Sequence, residues 1–308
     1  MSDRIVVVGS SNVDLIMKME RLPKPGQTVA EADFAQVFGG KGANQAVGAA
    51  RAGGDVAFVS CVGDDAYGGQ VIDSLQTDGI DTRHVFQETG VPTGTALIMI
   101  DAAGENCISV APGANYRLTP AHLDRARDVI EAASIVVTQC EILPETLEHV
   151  VDLGVHLGKT VMLNLAPARP LADASLAKLG VLAVNETEAE FLAGLPVKSD
   201  EEVEAAATAL LAKGPKTVLL TLGPRGAWVA GEGHRGLVPG FEVEAVDTTA
   251  AGDVHCGALA VALVEGQPLQ GAVTFANAAA ALSTTTLGAQ PSAPLRAAID
   301  ALVRSRSS

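Results

Sequence analysis

Short apolar runs rich in β-branched residues alternate along the chain with stretches whose apolar positions recur at helical spacing. The apolar runs predict buried strands at 5–8, 56–60, 135–138, 161–165, 181–184 and 218–222. The helical spacing predicts helices at 42–52, 120–132, 145–157 and 201–213. Because strands and helices in alternation are typical of an α/β fold, we predict a mostly parallel central sheet with helices on both faces.

Two stretches, at about 14–38 and 95–110, interrupt this alternation. In the second, Ala96, Ile98 and Ile100 alternate with their neighbours, as in a strand with two different faces. We expect both stretches to supply antiparallel strands outside the main sheet and to form a small β-sheet flap over a site. With 48% hydrophobic residues, the chain 1–308 is expected to form one large α/β domain with these strands inserted.

The net charge of −15 limits the classes of partner. Nucleic acid and anionic membranes both attract a basic surface, so neither is expected, and an anionic ligand has to be held by local groups. The four cysteines form no CxxC pair, which indicates neither a disulfide framework nor a zinc site; they stand at positions 61, 107, 140 and 256. No signal peptide or membrane-spanning run is recognisable, so a reducing cytoplasm is expected.

The run DTTAAGD at 247–253 carries the clearest chemistry, because the apolar residues after it predict a helix. The first amides of such a helix lack internal partners and suit phosphate oxygens, and the small residues Ala250, Ala251 and Gly252 allow close approach. Asp253, with the pKa of an ordinary aspartate, can accept a proton from a hydroxyl that attacks the anion. The alternative is an ordinary helix cap after a glycine turn.

A second glycine cluster, GGKGANQ at 39–45, also precedes a predicted helix, and Lys41 and Asn44 can donate to a ligand there. It is not a P-loop, because the GxxxxGK[ST] spacing is absent, and no GxGxxG follows the first strand. Asn12 and Asp14, two residues apart on an extended segment, face the same way and can hold neighbouring hydroxyls of a polyol. Taken alone, that pair indicates an Asx turn.

Further polar residues follow predicted strands, which is where open parallel sheets bind their ligands. These residues are Glu141, Asn185, Glu188, Thr221, Gly223 and Gly226. Each by itself is most often a helix cap or a turn residue. Their common position at strand ends, together with the two glycine clusters, favours a ligand site.

Taken together, these motifs resemble the ribokinase family of sugar and nucleoside kinases over nearly the whole chain. The matching runs are GSSNVD at 9–14, GGKGANQA at 39–46, NETEAE at 185–190, TLGPRGAW at 221–228, DTTAAGD at 247–253 and GAQPSAP at 288–294. The resemblance implies an α/β main domain with a small β-sheet lid. Since lids in this family commonly pair two subunits, it also implies a homodimer formed through the lid.

The resemblance assigns roles to individual positions. It makes Asp253 the general base that takes the proton from a sugar hydroxyl as it attacks the γ-phosphate of ATP, with an anion hole at Ala250, Ala251 and Gly252. The matching sugar-binding positions are Asn12, Asp14, Gly40, Lys41, Gly42, Asn44 and Glu141. The matching nucleotide-binding positions are Asn185, Thr221, Gly223, Gly226, Gly252 and Asn277.

The resemblance also implies two ions beside the co-substrate ATP. Asn185 and Glu188 resemble the family's NxxE element, which helps to organise Mg²⁺ through water. A potassium-type cation is expected beside the anion hole, at Asp247, Thr249, Ser283, Thr286, Gly288 and Ser292.

One segment departs from the family pattern: Val254, His255, Cys256 and Gly257 follow Asp253, where ThrPheAsnGly is usual. His255 as an additional acid or base, and Cys256 as a redox-sensitive thiol, are alternatives to packed core side chains.

The resulting expectation is ATP-dependent phosphorylation of D-ribose at its 5-hydroxyl, giving D-ribose 5-phosphate and ADP. Paired contacts from Asn12 and Asp14 favour ribose, because a site built for a hydroxyl leaves polar groups unpaired with a deoxy sugar. A kinase for deoxyribose, another pentose or a nucleoside is the nearest alternative. A sugar-binding regulator without catalytic activity is the third.

Overall fold

Helices and strands fill most of the part of the chain that the structure, a computed structural model, describes, namely residues 3–306. The first two and last two residues of the predicted domain lie outside the described residues. The strands are β1 Arg4–Val8, β2 Asn12–Met19, β3 Ala32–Gly39, β4 Asp55–Gly63, β5 Asp81–Glu88, β6 Gly94–Ile100, β7 Asn106–Ala111, β8 Ile135–Thr138, β9 Thr160–Asn164, β10 Val181–Asn185, β11 Thr217–Thr221, β12 Gly226–Gly231 and β13 His234–Pro239.

The α-helices cover the stretches of helical spacing. They are α1 Lys41–Arg51, α2 Ala66–Thr77, α3 Pro120–Arg125, α4 Arg127–Ala132, α5 Pro144–His156, α6 Asp173–Leu176, α7 Glu186–Ala193, α8 Asp200–Ala212, α9 Ala251–Val264, α10 Leu269–Ser283 and α11 Arg296–Arg306. The helix predicted at 120–132 is divided at Ala126, whose φ of −95° and ψ of 11° interrupt the helix. No helix within residues 3–306 combines the length and apolar character needed to cross a membrane.

The main sheet has nine strands in the order β13-β12-β11-β10-β9-β8-β1-β4-β5. The pairings from β11 to β5 are parallel, and the pairings β11–β12 and β12–β13 are antiparallel, so β12 alone runs against the other strands of this sheet. On β1, Ile5 and Val7 belong to a core that includes α1, α9 and α10, whereas Val6 and Val8 belong to a second core with α3 to α5 and α8. The sheet is therefore buried on both faces, which confirms the predicted mostly parallel α/β fold and explains its uninterrupted apolar runs.

A second sheet has the strand order β3-β2-β6-β7. The pairs β2–β3 and β6–β7 are antiparallel, as expected, but the expectation is wrong for the central pair, because β2 and β6 run parallel. The reason is topological. β2 follows β1 and β6 follows β5, so both strands leave the carboxyl edge of the main sheet in the same direction.

Glycines allow α1 to pack unusually closely against its neighbours. A Cβ placed on Gly42 would lie 2.6 Å from the backbone nitrogen of Ser10, in the loop after β1. A Cβ on Gly257 in α9 would lie 2.5 Å from the carbonyl oxygen of Gln45 in α1. The start of α1 is therefore held against both the β1–β2 loop and α9, at the edge where the polar motifs lie.

We expect Gly42→Ala to destabilise the protein by about 1–3 kcal/mol, because the added methyl group overlaps backbone that cannot rotate away. The matched control is Gly69→Ala in α2, where nothing lies within 4 Å of the added Cβ and the loss of glycine should stabilise the helix by about 0.5–1 kcal/mol. Urea unfolding of the two variants and the original protein checks this. Equal stability of all three would show that α1 does not lie so close to the loop.

Candidate active site

A cavity of about 180 Å³ opens at the carboxyl edge of the main sheet, between the ends of β9 to β11 and the beginning of α9. We call it the central cavity. Its lining residues are Lys41, Asn164, Ala166, Ala183, Val184, Asn185, Glu188, Thr221, Thr248, Ala250, Ala251, Gly252, Asp253 and Cys256. The structure thus brings both glycine-rich motifs and the polar residues after β10 and β11 to one place.

The anion-hole segment is strained at Ala250. It is the one non-glycine residue within 3–306 that has a positive φ, at 61° with ψ at 7°. This left-handed conformation costs an L-residue about 1–2 kcal/mol. The N–H of Ala251 donates to the Thr248 carbonyl at 3.2 Å, which leaves Gly252 and Asp253 as first-turn amides without an acceptor inside the helix. These amides at the positive end of α9 suit a phosphate oxygen.

The carboxylate of Asp253 is buried and held by two amides from α1. Asn44 Nδ2 donates to Oδ2 at 3.1 Å, and Gln45 Nε2 donates to Oδ1 at 3.0 Å. Gln45 Nε2 also donates to Asn164 Oδ1 at 3.2 Å, which ties α1, α9 and the end of β9 together. Burial raises the pKa of Asp253 more than Lys41 and the two amides lower it. The pKa of Asp253 is therefore higher than the ordinary aspartate value assumed from the sequence. A higher pKa makes Asp253 a stronger base.

Lys41 is the cation that lines the cavity beside this carboxylate. Burial disfavours its charge, but attraction to Asp253, Glu141 and Glu188 outweighs burial and raises the pKa of Lys41. The ammonium group is therefore charged at neutral pH. It supplies positive charge at the point where an acidic protein would otherwise repel an anion.

Two side chains predicted to bind the sugar, Glu141 and Asn12, lie near the start of α1. Glu141 Oε2 accepts from Ser10 Oγ at 2.6 Å and from the backbone N–H of Lys41 at 3.0 Å. Asn12 Oδ1 accepts from Asn115 Nδ2 at 2.8 Å, which fixes the orientation of the Asn12 amide and leaves its own Nδ2 for a ligand. These hydrogen bonds hold both side chains in fixed positions beside the start of α1, and their contact with a sugar stays a prediction.

Asp14 stands on the same face of β2 as Asn12, and glycine makes room for it. A Cβ on Gly39, on the neighbouring strand β3, would lie 2.2 Å from Asp14 Oδ2. Burial and, secondarily, repulsion from Glu141 raise the pKa of Asp14 to about 6. A carboxylate kept in such a position at a cost in stability is typical of a binding residue.

On the nucleotide side, Asn185 and Glu188 close the first turn of α7. Asn185 Oδ1 accepts from the Glu188 N–H, and Glu188 Oε2 accepts from the Asn185 N–H, both at 2.8 Å. Burial is the main reason that the pKa of Glu188 is raised. The helix-cap interpretation is therefore correct for these two residues, which also line the central cavity.

The other nucleotide-binding predictions fall in different surroundings. Thr221 lines the central cavity, and Gly223 has open space around it. Gly226, with φ at 105°, would place a Cβ 2.2 Å from the Val238 carbonyl oxygen, so the β12–β13 hairpin itself requires glycine there. Asn277 is buried, and its amide donates to the carbonyls of Val238 and Pro239. The Asn277 amide nitrogen thus already donates to two backbone carbonyls of the protein. Its contact with a nucleotide stays a prediction.

The predicted cation-binding positions lie in the loop before α9, at the last residue of α10 and in the segment after α10, and Asp247 joins the first loop to that segment. Its Oδ1 accepts from Thr249 N and Oγ1 at 2.9 and 2.6 Å, and its Oδ2 accepts from Gly288 N at 2.8 Å. Burial opposes the charge of Asp247, but these hydrogen bonds outweigh it and lower the pKa.

Ser283 and Ser292 are buried and donate their hydroxyls to nearby carbonyls. The N–H of Thr286 donates to the Ser283 carbonyl at 3.3 Å. These contacts fix the loops beside the anion-hole segment, and cation binding stays a prediction.

The two unusual residues after Asp253 are packed in the core. His255 Nε2 is 3.0 Å from Asn277 Oδ1, and burial lowers the pKa of His255 to about 4. Burial also raises the pKa of the Cys256 thiol. A neutral buried imidazole and a protonated thiol favour structural roles over an additional acid or a redox-sensitive group.

Sequence reasoning missed the residues that position the others. Gln45 holds Asp253 and is itself held by Asn164. Ser10 holds Glu141, and Asn115 holds Asn12. Gln45 and Ser10 lie inside the quoted motifs and could have been found there. Asn164 and Asn115 carry no local signal, because only the fold brings them to the site.

Comparisons with known proteins agree with this arrangement. The profile described as pfkB family carbohydrate kinase matches residues 2–296. Ribokinase of Bacillus subtilis is 40% identical over 299 residues, which cover 97% of this chain and 99% of that protein. Deoxyribokinase of Salmonella typhi is 38% identical over 291 residues, which cover 94% of this chain and 95% of that protein. The structure of Arabidopsis thaliana ribokinase complexed with ribose and ATP matches with a TM-score of 0.92 and 34% identity, over 99% of each chain.

Asp14→Asn is expected to stabilise the ligand-free protein at pH 8. Because the folded-state pKa of about 6 lies above the ordinary value of 3.8, the folded protein loses stability as pH rises between these values. Removing the charge should raise the free energy of unfolding by on the order of 2–3 kcal/mol above pH 6 and should leave it unchanged below pH 4.

Urea unfolding from pH 4 to pH 8 measures this difference. The exposed Asp73→Asn variant in α2 is the control. The difference in unfolding free energy between this variant and the original protein should not change with pH. A pH-independent effect of Asp14→Asn would contradict the raised pKa.

Proposed function

The chain belongs to the pfkB family of carbohydrate kinases, and we propose that it transfers the γ-phosphoryl group of ATP to the 5-hydroxyl of D-ribose. The products are D-ribose 5-phosphate and ADP. One observation carries the proposal: the buried Asp253 carboxylate lies at the beginning of α9, between the sugar-side residues on β2 and α1 and the nucleotide-side residues after β10 and β11. The match to a ribokinase complexed with ribose and ATP over 99% of the chain supports it.

The chain's own residues then divide the reaction between them. Asp253 accepts the proton of the 5-hydroxyl while that oxygen bonds to the γ-phosphorus and the bond from phosphorus to the ADP oxygen breaks. The amides of Gly252 and Asp253 and the ammonium of Lys41 stabilise the phosphoryl oxygens as charge develops on them. Because the transition state of phosphoryl transfer is loose, positioning and charge stabilisation supply most of the catalysis.

We also propose the two ions. Asn185 and Glu188 line the central cavity, and oxygen-bearing side chains of this kind suit Mg²⁺ held through water. The Asp247 loop fits a potassium-type cation, because a carboxylate, hydroxyls and carbonyls there offer oxygen donors. Mg²⁺ would neutralise phosphate charge, and the monovalent cation would keep the strained turn at Ala250 in place.

The second sheet is proposed to act as a lid inserted into a single domain, with its strands at about 14–38 and 95–110. It carries Asn12 and Asp14 on β2, so the sheet that covers the sugar also binds it. A lid of this kind excludes water, which would otherwise accept the phosphoryl group.

The second sheet is also proposed to pair two copies of the chain. It exposes large apolar side chains on both faces: Met17, Phe34 and Leu97 share one face, and Ile108 and Val110 lie on the other. Exposed apolar patches of this kind mark interaction surfaces. ATP as co-substrate and four free cysteines are consistent with a proposed location in the cytoplasm.

Deoxyribose is the strongest alternative substrate, because a deoxyribokinase is also 38% identical to this chain. Another pentose or a nucleoside on the same scaffold follows. A sugar-binding regulator without catalytic activity is disfavoured by the intact Asp253 and its hydrogen bonds.

Asp253→Asn should lower turnover by about 10²–10⁴-fold or more, because an amide cannot accept the proton of the sugar hydroxyl. ATP affinity should change little. The assays are ribose-dependent ADP release and calorimetric ATP binding, with the exposed Asp152→Asn variant as a control of normal activity. Near-normal turnover of Asp253→Asn would remove this mechanism.

Ribose should give the highest kcat/KM among ribose, deoxyribose, other pentoses and nucleosides, because the Asn12 and Asp14 pair loses a partner with a deoxy sugar. Replacing potassium with a large organic cation should reduce kcat/KM for ribose. ADP release for each sugar with and without potassium measures both effects. A preference for deoxyribose would establish the alternative, and sugar binding without ADP release would establish the regulator.

Phe34→Asp should convert the proposed dimer into a monomer, because a buried unpaired carboxylate is unfavourable in an apolar interface. Sedimentation velocity measures the mass, with Val155→Asp on α5 as a control substitution of another exposed apolar residue. A dimer that survives Phe34→Asp would place the contact elsewhere.

A further inference from the structure

A cluster of Cys61, Glu88 and His122 lies outside the lining of the central cavity. Cys61 is on β4, Glu88 ends β5, and His122 is in α3. One ligand atom from each lies within 4.8 Å of the others, and His122 Nε2 is 3.1 Å from Glu88 Oε1. We propose that these three side chains bind a thiophilic divalent cation of the Zn²⁺ type.

The separations suit that ion after small side-chain adjustments. With bonds of about 2.0–2.3 Å to N, O and S, the donor atoms of a tetrahedral zinc site are roughly 3.4–3.6 Å apart. The distance of 3.1 Å between His122 Nε2 and Glu88 Oε1 is slightly below this range. Cys61 Sγ lies no more than 4.8 Å from the other two ligand atoms, so it would have to move by about an ångström at most. Three protein donors leave a fourth position for water, as in open zinc sites.

The surroundings of His122 allow the required tautomer. Its Nδ1 accepts from the backbone N–H of Thr119 at 3.3 Å and also lies 2.9 Å from Thr119 Oγ1. This arrangement keeps the ring proton on Nε2. Metal binding would therefore require the other tautomer, in which Nδ1–H donates to Thr119 Oγ1 and the Nε2 lone pair is free for the ion. The imidazole also stacks at an angle on Phe86, with ring centroids 4.6 Å apart. These contacts orient the ring towards Glu88, as outer contacts do for metal-bound histidines.

Charge and burial favour a soft divalent ion over the ions of the active site. Cys61 is fully buried, and burial raises the pKa of its thiol to about 12, so the thiol loses its proton to solvent only when the metal–sulfur bond forms. A thiolate and the Glu88 carboxylate then neutralise a divalent cation, although the nearby guanidinium of Arg125 opposes its approach. A mixed sulfur, nitrogen and oxygen donor set selects zinc-like ions over Mg²⁺ and K⁺.

Zinc binding at this cluster would overturn the expectation that the cysteines indicate no zinc site. Its members stand at positions 61, 88 and 122, with no CxxC or other short ligand spacing, so sequence reasoning could not detect them. The ion would join the ends of β4 and β5 to α3. The Glu88 side chain, 32% exposed, gives the ion access from solvent.

The test titrates the full chain, without an affinity tag and after dialysis against a chelator, with Co²⁺ as the probe. We expect one Co²⁺ per chain with a thiolate-to-cobalt charge-transfer band, and displacement of that band by Zn²⁺. Zn²⁺ should also raise the melting temperature. Cys61→Ala should abolish the band, and Glu88→Gln and His122→Gln should weaken Co²⁺ binding by at least about tenfold, since outer and inner ligands each contribute on this scale.

Two matched controls keep the result specific. Cys107→Ser removes the exposed cysteine, and His149→Gln removes another histidine that pairs with a carboxylate, Asp124, so both should keep the band and the affinity. Circular dichroism shows that each variant is folded. The proposal is overturned if Co²⁺ binds without a thiolate band, if the band persists in folded Cys61→Ala, or if folded Glu88→Gln and His122→Gln both retain the original affinity.

Discussion

The contact between α1 and α9 that buries the Asp253 carboxylate is the interaction on which the site depends. Two amides from α1, Asn44 and Gln45, replace the water that the carboxylate loses. They reach it only because Gly42 and Gly257 let α1 approach the β1–β2 loop and α9. The proposed base, the proposed anion-binding amides and the residues proposed to bind the sugar on α1 are therefore positioned by one packed helix pair rather than by separate loops.

The site concentrates negative charge in a protein that is already acidic. Asp14, Glu141, Glu188 and Asp253 all act on Lys41 or on one another, and burial raises the pKa of three of them, Asp14, Glu188 and Asp253. In the ligand-free state this arrangement costs stability. Sugar hydroxyls, which donate hydrogen bonds to the carboxylates, and the proposed cations would relieve that cost, so ligand binding and stability are coupled.

The sequence predicted what depends on local pattern. Six of the nine strands of the main sheet and the position of α9 follow from apolar periodicity, whereas β5, β12 and β13 were not predicted. The motifs around Lys41 and Asp253 meet because parallel strands end at one edge. It did not predict what depends on contacts between distant segments. Asn164 reaches Gln45, Asn277 is occupied by β13, and Cys61 meets His122 only after folding. The raised pKa of Asp253 follows from burial, which no motif encodes.

The parallel pairing of β2 with β6 has a mechanical consequence. The chain passes between the two sheets at four short connections, at 9–11, 40, 89–93 and 112, and all of them lie along one edge. Four strands joined by a continuous ladder of hydrogen bonds form a stiff plate, so a rotation about this edge is the motion that preserves the ladder. Asn12 lies at the axis of such a rotation and Met19 at the opposite end of β2, so Asn12 would move least and Met19 furthest.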